Sequence, residues 1–205
     1  MHSVAAECER CFPGLGARFS ALWRTKQLEY TWLKSLMGRY EAFEAITRAA
    51  AKTAAANLGL ELSHATLEQL MRAYDRLCLF PDAKEALASL DRHRRAILSN
   101  GSPRMLDAVV SNSGLGTLLD RVLSAHEAGI FKPHPSVYAL VCTAFALQPG
   151  AVAFVSSNFW DVAGASSFGF RTFWINRTQS PPEELGCQPT AVLTSLTELA
   201  SRLAG

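Results

Sequence analysis

The stretch Arg95-Ala96-Ile97-Leu98-Ser99-Asn100-Gly101-Ser102-Pro103 decides the fold class. A short apolar run bounded by charge on one side and turn residues on the other reads as a buried strand. Proline is tolerated at the first turn of a helix, where its missing N–H leaves no bond unmade. The stretch is therefore strand, loop, helix, and Gly114 supplies the stop at the far end. A loop of small residues at such a junction offers backbone N–H groups and a helix dipole to an anion beyond the strand end.

The same alternation continues downstream. Arg121–Ser124 reads as a strand, and Pro135 opens a helix to about Leu147 with Tyr138, Val141 and Phe145 on one side. Ala151–Ser156 is a strand, Trp160–Phe168 a helix and Thr172–Ile175 a strand. Ser195-Leu196-Thr197-Glu198 has the capping-box pattern for a last helix to Leu203, and Asp82-Ala83-Lys84-Glu85 has it for a helix to about Arg92. Strands alternating with helices imply βαβ units and a parallel sheet.

Before residue 80 the pattern is helical throughout. Between Leu15 and Met37, Phe19, Leu22, Trp23, Lys26, Tyr30, Leu33 and Leu36 recur at steps of three and four, which predicts one amphipathic face. Tyr40–Leu58 should turn Phe43 and Ile46 inward, with Gly59 as its stop, and Ala65–Leu77 should bury Leu67, Leu70, Met71 and Tyr74. The expected organisation is a helical domain over 1–80 and an α/β core domain over 81–205.

Composition narrows the function classes. The 205 residues are 49% hydrophobic, enough for a real core, and Lys+Arg 20 against Asp+Glu 18 gives a net charge of +2, too balanced to suggest a polyanion as partner. Arg92-His93-Arg94-Arg95 is more simply positive charge at a helix C-terminus than a nucleic-acid patch. No apolar run approaches the ~18 residues of a membrane span, and the N-terminal residues lack a signal-peptide pattern, so a cytoplasmic protein is expected. The five cysteines are an odd number, and Cys8 and Cys11 have no second ligand pair for zinc, so both are read as helix-face residues.

The chemistry should lie where strands end, because ligands of open parallel sheets sit beyond the strands' carboxyl ends. Three such ends are polar: Ser99-Asn100-Gly101-Ser102, then Phe131-Lys132-Pro133-His134-Pro135, then Ser156-Ser157-Asn158-Phe159-Trp160-Asp161. Pro133, directly after Lys132, and Pro135, two residues further on, restrict the backbone that carries Lys132.

Together these stretches resemble the haloacid dehalogenase superfamily, and within it the L-2-haloacid dehalogenases. Ser99-Asn100-Gly101 is similar to the second motif of that family, Lys132-Pro133 to its third, and Ser156–Asp161 to its fourth. Leu22-Trp23-Arg24 and Gln27-Leu28-Glu29-Tyr30-Thr31-Trp32 resemble the dehalogenase cap, and Ile175-Asn176-Arg177 resembles the close of its core. The resemblance implies a Rossmann-like parallel-sheet core with an N-terminal helical cap. It implies hydrolysis of short-chain (S)-2-haloacids to (R)-2-hydroxyacids through an aspartyl ester, with no cofactor, no metal and a homodimeric assembly. It also implies roles: Arg24, Asn158 and Trp160 for the halide, Ser99 and Asn100 for the substrate carboxylate, and Lys132 for the nucleophile. Asp161 would orient Lys132 or water, Ser156 and Tyr138 would add hydrogen bonds, and Leu28 and Phe43 would wall the pocket.

Two alternatives stand beside this reading. A phosphatase of the same superfamily would need carboxylates for Mg²⁺ where this chain has Ser156 to Asn158. A non-catalytic remnant would bind small carboxylates without turnover. The family's nucleophile, an Asp closing the first core strand in an Asp-x-x-Gly-Thr motif, has no counterpart in residues 1–205. Asp75, Asp82, Asp91, Asp107 and Asp120 all read as helix or turn positions. The expectation is an N-terminally shortened chain that lacks the first core strand, folds poorly and is inactive as written.

Overall fold

The computed structural model describes residues 2–203, and they divide into two compact units. Met1–Leu79, Ser99–Gly116 and Ser124–Phe131 make the first; Phe80–Leu98, Thr117–Leu123 and Lys132–Gly205 make the second.

Helices build the first unit: α1 (His2–Cys11), α2 (Gly16–Leu36), α3 (Phe43–Asn57), α4 (His64–Asp75) and, later in the chain, α6 (Pro103–Ser113). Its core joins Cys8, Phe12, Phe19 and Trp23 to the alanines Ala50, Ala51, Ala54 and Ala55 of α3 and to Leu67, Leu70 and Met71 of α4. Small side chains on α3 let α2 approach closely, and the aromatic rings of α2 fill the space; Phe19 and Trp23 lie 5.6 Å apart and tilted. Burial pushes the Cys8 thiol up to about 12, so it packs as a neutral group.

The expected face of α2 is only half right. Phe19 and Trp23 are buried, but the next buried positions are Gln27 and Thr31, whereas Leu33 and Leu36 are exposed. Steps of four from Phe19 reach Gln27 and Thr31, and both are hydrogen-bonded where they lie. The leucines continue on a neighbouring face. Helix α3 starts at Phe43 rather than Tyr40, whose ring packs 5.0 Å from that of Phe131.

In the second unit α5 (Ala83–Ser89), α7 (Pro135–Phe145), α8 (Phe159–Phe168) and α9 (Leu199–Leu203) accompany the strands. Strands β3 (Ala153–Ser156), β4 (Arg171–Ile175) and β5 (Ala191–Leu193) form a parallel sheet in that order. A separate two-stranded sheet holds β1 (Ala96–Ser99) and β2 (Arg121–Ser124). Strand β5 has no counterpart in the sequence reading: three residues are too few to display a period, and the pairing with β4 makes it a strand. Leu98, Leu123, Tyr138, Val141, Phe154, Ala165 and Phe170 pack as one cluster, and Phe173, Ile175, Leu193 and Leu199 centre a second.

Asp82 departs from the capping-box expectation. It occupies the N-cap position of α5, yet its side chain makes no capping bond there. The carboxylate instead accepts from Arg177 Nη2 at 2.9 Å, from Ser195 Oγ at 2.9 Å and from the Leu196 backbone N–H at 2.8 Å. Charge-assisted bonds to a guanidinium outcompete a single cap. Helix α5 ends at Ser89, and Arg95 reaches back to the Leu87 carbonyl at 2.8 Å. The Ser195 box does form, on a 3₁₀ turn at Leu196–Glu198 that runs into α9.

Burial opposes ionisation of Asp82, but the Leu196 N–H, Arg177 and Ser195 outweigh it and hold the carboxyl below its usual 3.8. Its folded value is depressed, so its contribution is complete above 3.8 and is lost as pH falls through the lower folded value. Asp82→Asn is expected to lower stability at neutral pH and to flatten the acid limb of a denaturant-midpoint series. An acid limb unchanged from wild type would refute the assignment.

Candidate active site

Lys132, Tyr138, Ser156 and Asp161 come together inside the second unit. Asp161 sits in the first turn of α8, where a carboxylate is favoured by the helix dipole. Its Oδ2 accepts from Lys132 Nζ at 3.1 Å and from Ser156 Oγ at 3.1 Å, and its Oδ1 accepts from the Tyr138 hydroxyl at 2.9 Å. Lys132 also donates to the Leu98 carbonyl, in β1, at 2.8 Å. The Phe154 ring lies 4.8 Å from the ammonium.

Both charges of the pair are buried, with Lys132 5% and Asp161 6% exposed. Burial pulls the Lys132 ammonium below its usual range, and the neighbouring Asp161 carboxylate works against that pull. The Tyr138 hydroxyl is pushed up, first by burial and then by the adjacent carboxylate, so it remains a donor at neutral pH. A lysine held this way presents a fixed cation beside β1. Such a group keeps a neighbouring carboxylate ionised.

Gly164 is the residue that the sequence reading missed here. A Cβ on it would lie 2.5 Å from the Tyr138 hydroxyl oxygen and 2.5 Å from Pro133 Cβ. A glycine in the middle of a predicted helix was the available signal. Asn158 stands at the N-cap position of α8 without making a capping bond. Trp160 is half-buried while its neighbour Phe159 takes the core position against the Trp174 ring, 4.9 Å away.

The remaining residues of the sequence reading lie in the first unit. Ser99 Oγ accepts from the Gly101 N–H at 3.1 Å, Ser102 Oγ caps α6 through the Met105 N–H at 3.4 Å, and Ser124 Oγ donates to the Gly101 carbonyl at 2.6 Å. These bonds hold the Ser99–Ser102 turn, with half-buried Asn100 within it. Arg24 and Leu28 are half-buried on α2, and Arg24 Nη1 donates to Gln27 Oε1 at 3.0 Å. Phe43 is buried, its ring 6.1 Å from that of Phe131. Among the described residues, no group of three or more His, Cys, Asp or Glu is arranged to hold a metal.

Comparison with known proteins settles the family. The model of the haloacid dehalogenase-like hydrolases matches residues 3–169. The chain belongs to that family. An (S)-2-haloacid dehalogenase of Pseudomonas sp. (strain YL) is 48% identical over 198 residues, spanning 96% of this chain and 85% of the relative. The structure of an L-2-haloacid dehalogenase from Xanthobacter autotrophicus superposes with a TM-score of 0.95 at 39% identity, covering 99% of this chain and 92% of the other. The structure of the L-2-haloacid dehalogenase from the same organism with chloropropionic acid covalently bound gives 0.93 at 40% identity, covering 99% and 92%. The α/β architecture expected from the strand–helix alternation is that of this hydrolase family. No helix among the described residues is long and apolar enough to cross a membrane.

Proposed function

We propose that this haloacid dehalogenase-like hydrolase acts on short-chain (S)-2-haloalkanoates, giving (R)-2-hydroxyacids. The observation that carries the reading is the buried Lys132–Asp161 pair with its Tyr138 and Ser156 donors, in a chain 48% identical to an (S)-2-haloacid dehalogenase. A carboxylate oxygen attacks C2 with inversion, the carbon–halogen electron pair leaves as halide, and water hydrolyses the ester to the hydroxyacid. The attacking Asp is not among residues 1–205 in an Asp-x-x-Gly-Thr setting, and the residues present are assigned around it.

Lys132 keeps that carboxylate ionised and Asp161 orients Lys132 or the hydrolytic water. Tyr138 and Ser156 hold Asp161 in turn. Ser99 and Asn100 receive the substrate carboxylate, Arg24, Asn158 and Trp160 receive the halide, and Leu28 and Phe43 form an apolar wall. Residues 1–80 act as the cap and 81–205 as the core. Exposed Leu33, Leu36 and Met37 on and just after α2 support a homodimer. A cytoplasmic setting and a reaction without cofactor, metal or nucleic acid complete the proposal.

The test is halide release from the two enantiomers of 2-chloropropionate, with the chain preceded by an apolar strand ending in Asp-x-x-Gly-Thr. Chloride is expected from the (S) enantiomer alone, unaffected by chelator, while residues 1–205 without that strand turn over neither. Phosphate-ester hydrolysis that requires Mg²⁺, with no chloride release, would establish the phosphatase reading instead.

A further inference from the structure

Arg24 is not left to find its own orientation. Its partner Gln27 is fully buried on the same helix, one turn on, where positions three apart face each other. An amide so placed must satisfy both of its ends. Gln27 Nε2 donates to Thr47 Oγ1 at 2.8 Å and to the Tyr74 hydroxyl at 3.3 Å, and its Oε1 accepts from Arg24.

Thr47 determines which way round the amide sits. Its hydroxyl proton is spent on the Phe43 carbonyl one turn back in α3, at 2.6 Å. The hydroxyl can then only accept from Gln27, so the NH₂ of Gln27 must face Thr47 and its carbonyl must face Arg24. Thr47 is itself fully buried, and the Trp23 indole N–H donates to its backbone carbonyl at 2.8 Å. Burial pushes the Tyr74 hydroxyl up to about 12, so that side of the amide stays neutral as well.

We infer that Gln27, oriented by Thr47, is the positioning residue for Arg24 as a halide receptor, an inference that rests on the halide role proposed for Arg24. An amide oxygen holds Nη1 of the guanidinium without neutralising its charge. A carboxylate at that position would take the same bond and compensate the cation, leaving less attraction for an anion. The network ends on the backbone carbonyl of Phe43, one turn back in α3.

Bromide binding to the 205-residue chain, followed by ⁸¹Br line broadening, tests this without turnover. Wild type is expected to broaden the signal and Arg24→Ala to remove the effect. Thr47→Val, which keeps the shape but takes away the acceptor, should weaken bromide about five- to tenfold, the scale of one lost hydrogen bond. Thr47→Ser restores the hydroxyl and should restore binding. Gln27→Glu should weaken binding by about tenfold or more, because the charge compensation occurs at a buried position. Circular dichroism and thermal melting of each variant confirm a folded chain, and a folded Gln27→Glu keeps the test open if Thr47→Val unfolds. If Arg24→Ala binds bromide as wild type does, or wild type binds none, the halide role of Arg24 falls and this inference with it. If Arg24→Ala abolishes binding while folded Thr47→Val and Gln27→Glu bind normally, only the positioning role is overturned.

Discussion

Lys132→Met is expected to lower the unfolding free energy by about 3–5 kcal/mol near neutral pH, the scale found when one partner of a buried ion pair is removed. Asp161 would keep its Ser156 and Tyr138 donors but lose the only cation within salt-bridge distance among the described residues. Two neutral hydrogen bonds do not replace a charge at a site this buried. For a domain of this size each kcal/mol moves the melting midpoint by roughly 2–4 °C, so the loss is easily read by calorimetry. Removing both charges, as Lys132→Met with Asp161→Leu, should recover most of that stability because no unpaired charge is left buried. A single variant as stable as wild type would mean that Asp161 is not left as an unpaired buried charge, and the pair would lose its standing as the centre of the site.

The second large effect belongs to Gly164. Alanine in the interior of a helix is ordinarily favoured over glycine by about 1 kcal/mol. At position 164 the added methyl group meets the Tyr138 hydroxyl and Pro133 at 2.5 Å each, and Tyr138 is fully buried. Neither neighbour is the free end of a flexible chain, so overpacking outweighs propensity and Gly164→Ala should destabilise by about 1–3 kcal/mol. The displacement falls on the hydroxyl that donates to Asp161. Tyr138→Phe removes one of the two overlaps. The double variant is therefore expected to be less destabilised than the sum of the singles, with a coupling of about 0.5–3 kcal/mol in denaturant melts. Strict additivity, or a Gly164→Ala chain more stable than wild type, would show that α8 has room there.

Much of the fold could be read directly. The apolar run ending at Ser99 and the proline at 103 placed a strand against a helix start, and the helix does begin at Pro103 with Ser102 as its cap and Gly114, at φ +68°, as its stop. These are local matters of backbone geometry, decided within a few residues. The polar strand ends were legible for the same reason, as were the Lys132 stretch and Asp161, because small polar residues after apolar strands are conspicuous. Family likeness added what spacing could not, the assignment of Arg24 from within an otherwise ordinary helix.

What the sequence alone determined, then, was which segments are strands and helices over most of the chain, the α/β class, and the stretches in which the polar side chains of the candidate site lie. Tertiary structure decided the rest. It made Ala191–Leu193 a strand by setting it beside β4. It took the Asp82 carboxylate from its own helix to Arg177 and Ser195. On α2 it buried Gln27 and Thr31 rather than Leu33 and Leu36. Periodicity says which residues share a face, but only the neighbouring elements say which face is covered and whether a polar group there finds its partners. Gln27 meets Thr47 across twenty residues of chain, and Lys132 meets Asp161 across twenty-nine. Separations of that length leave no local signature.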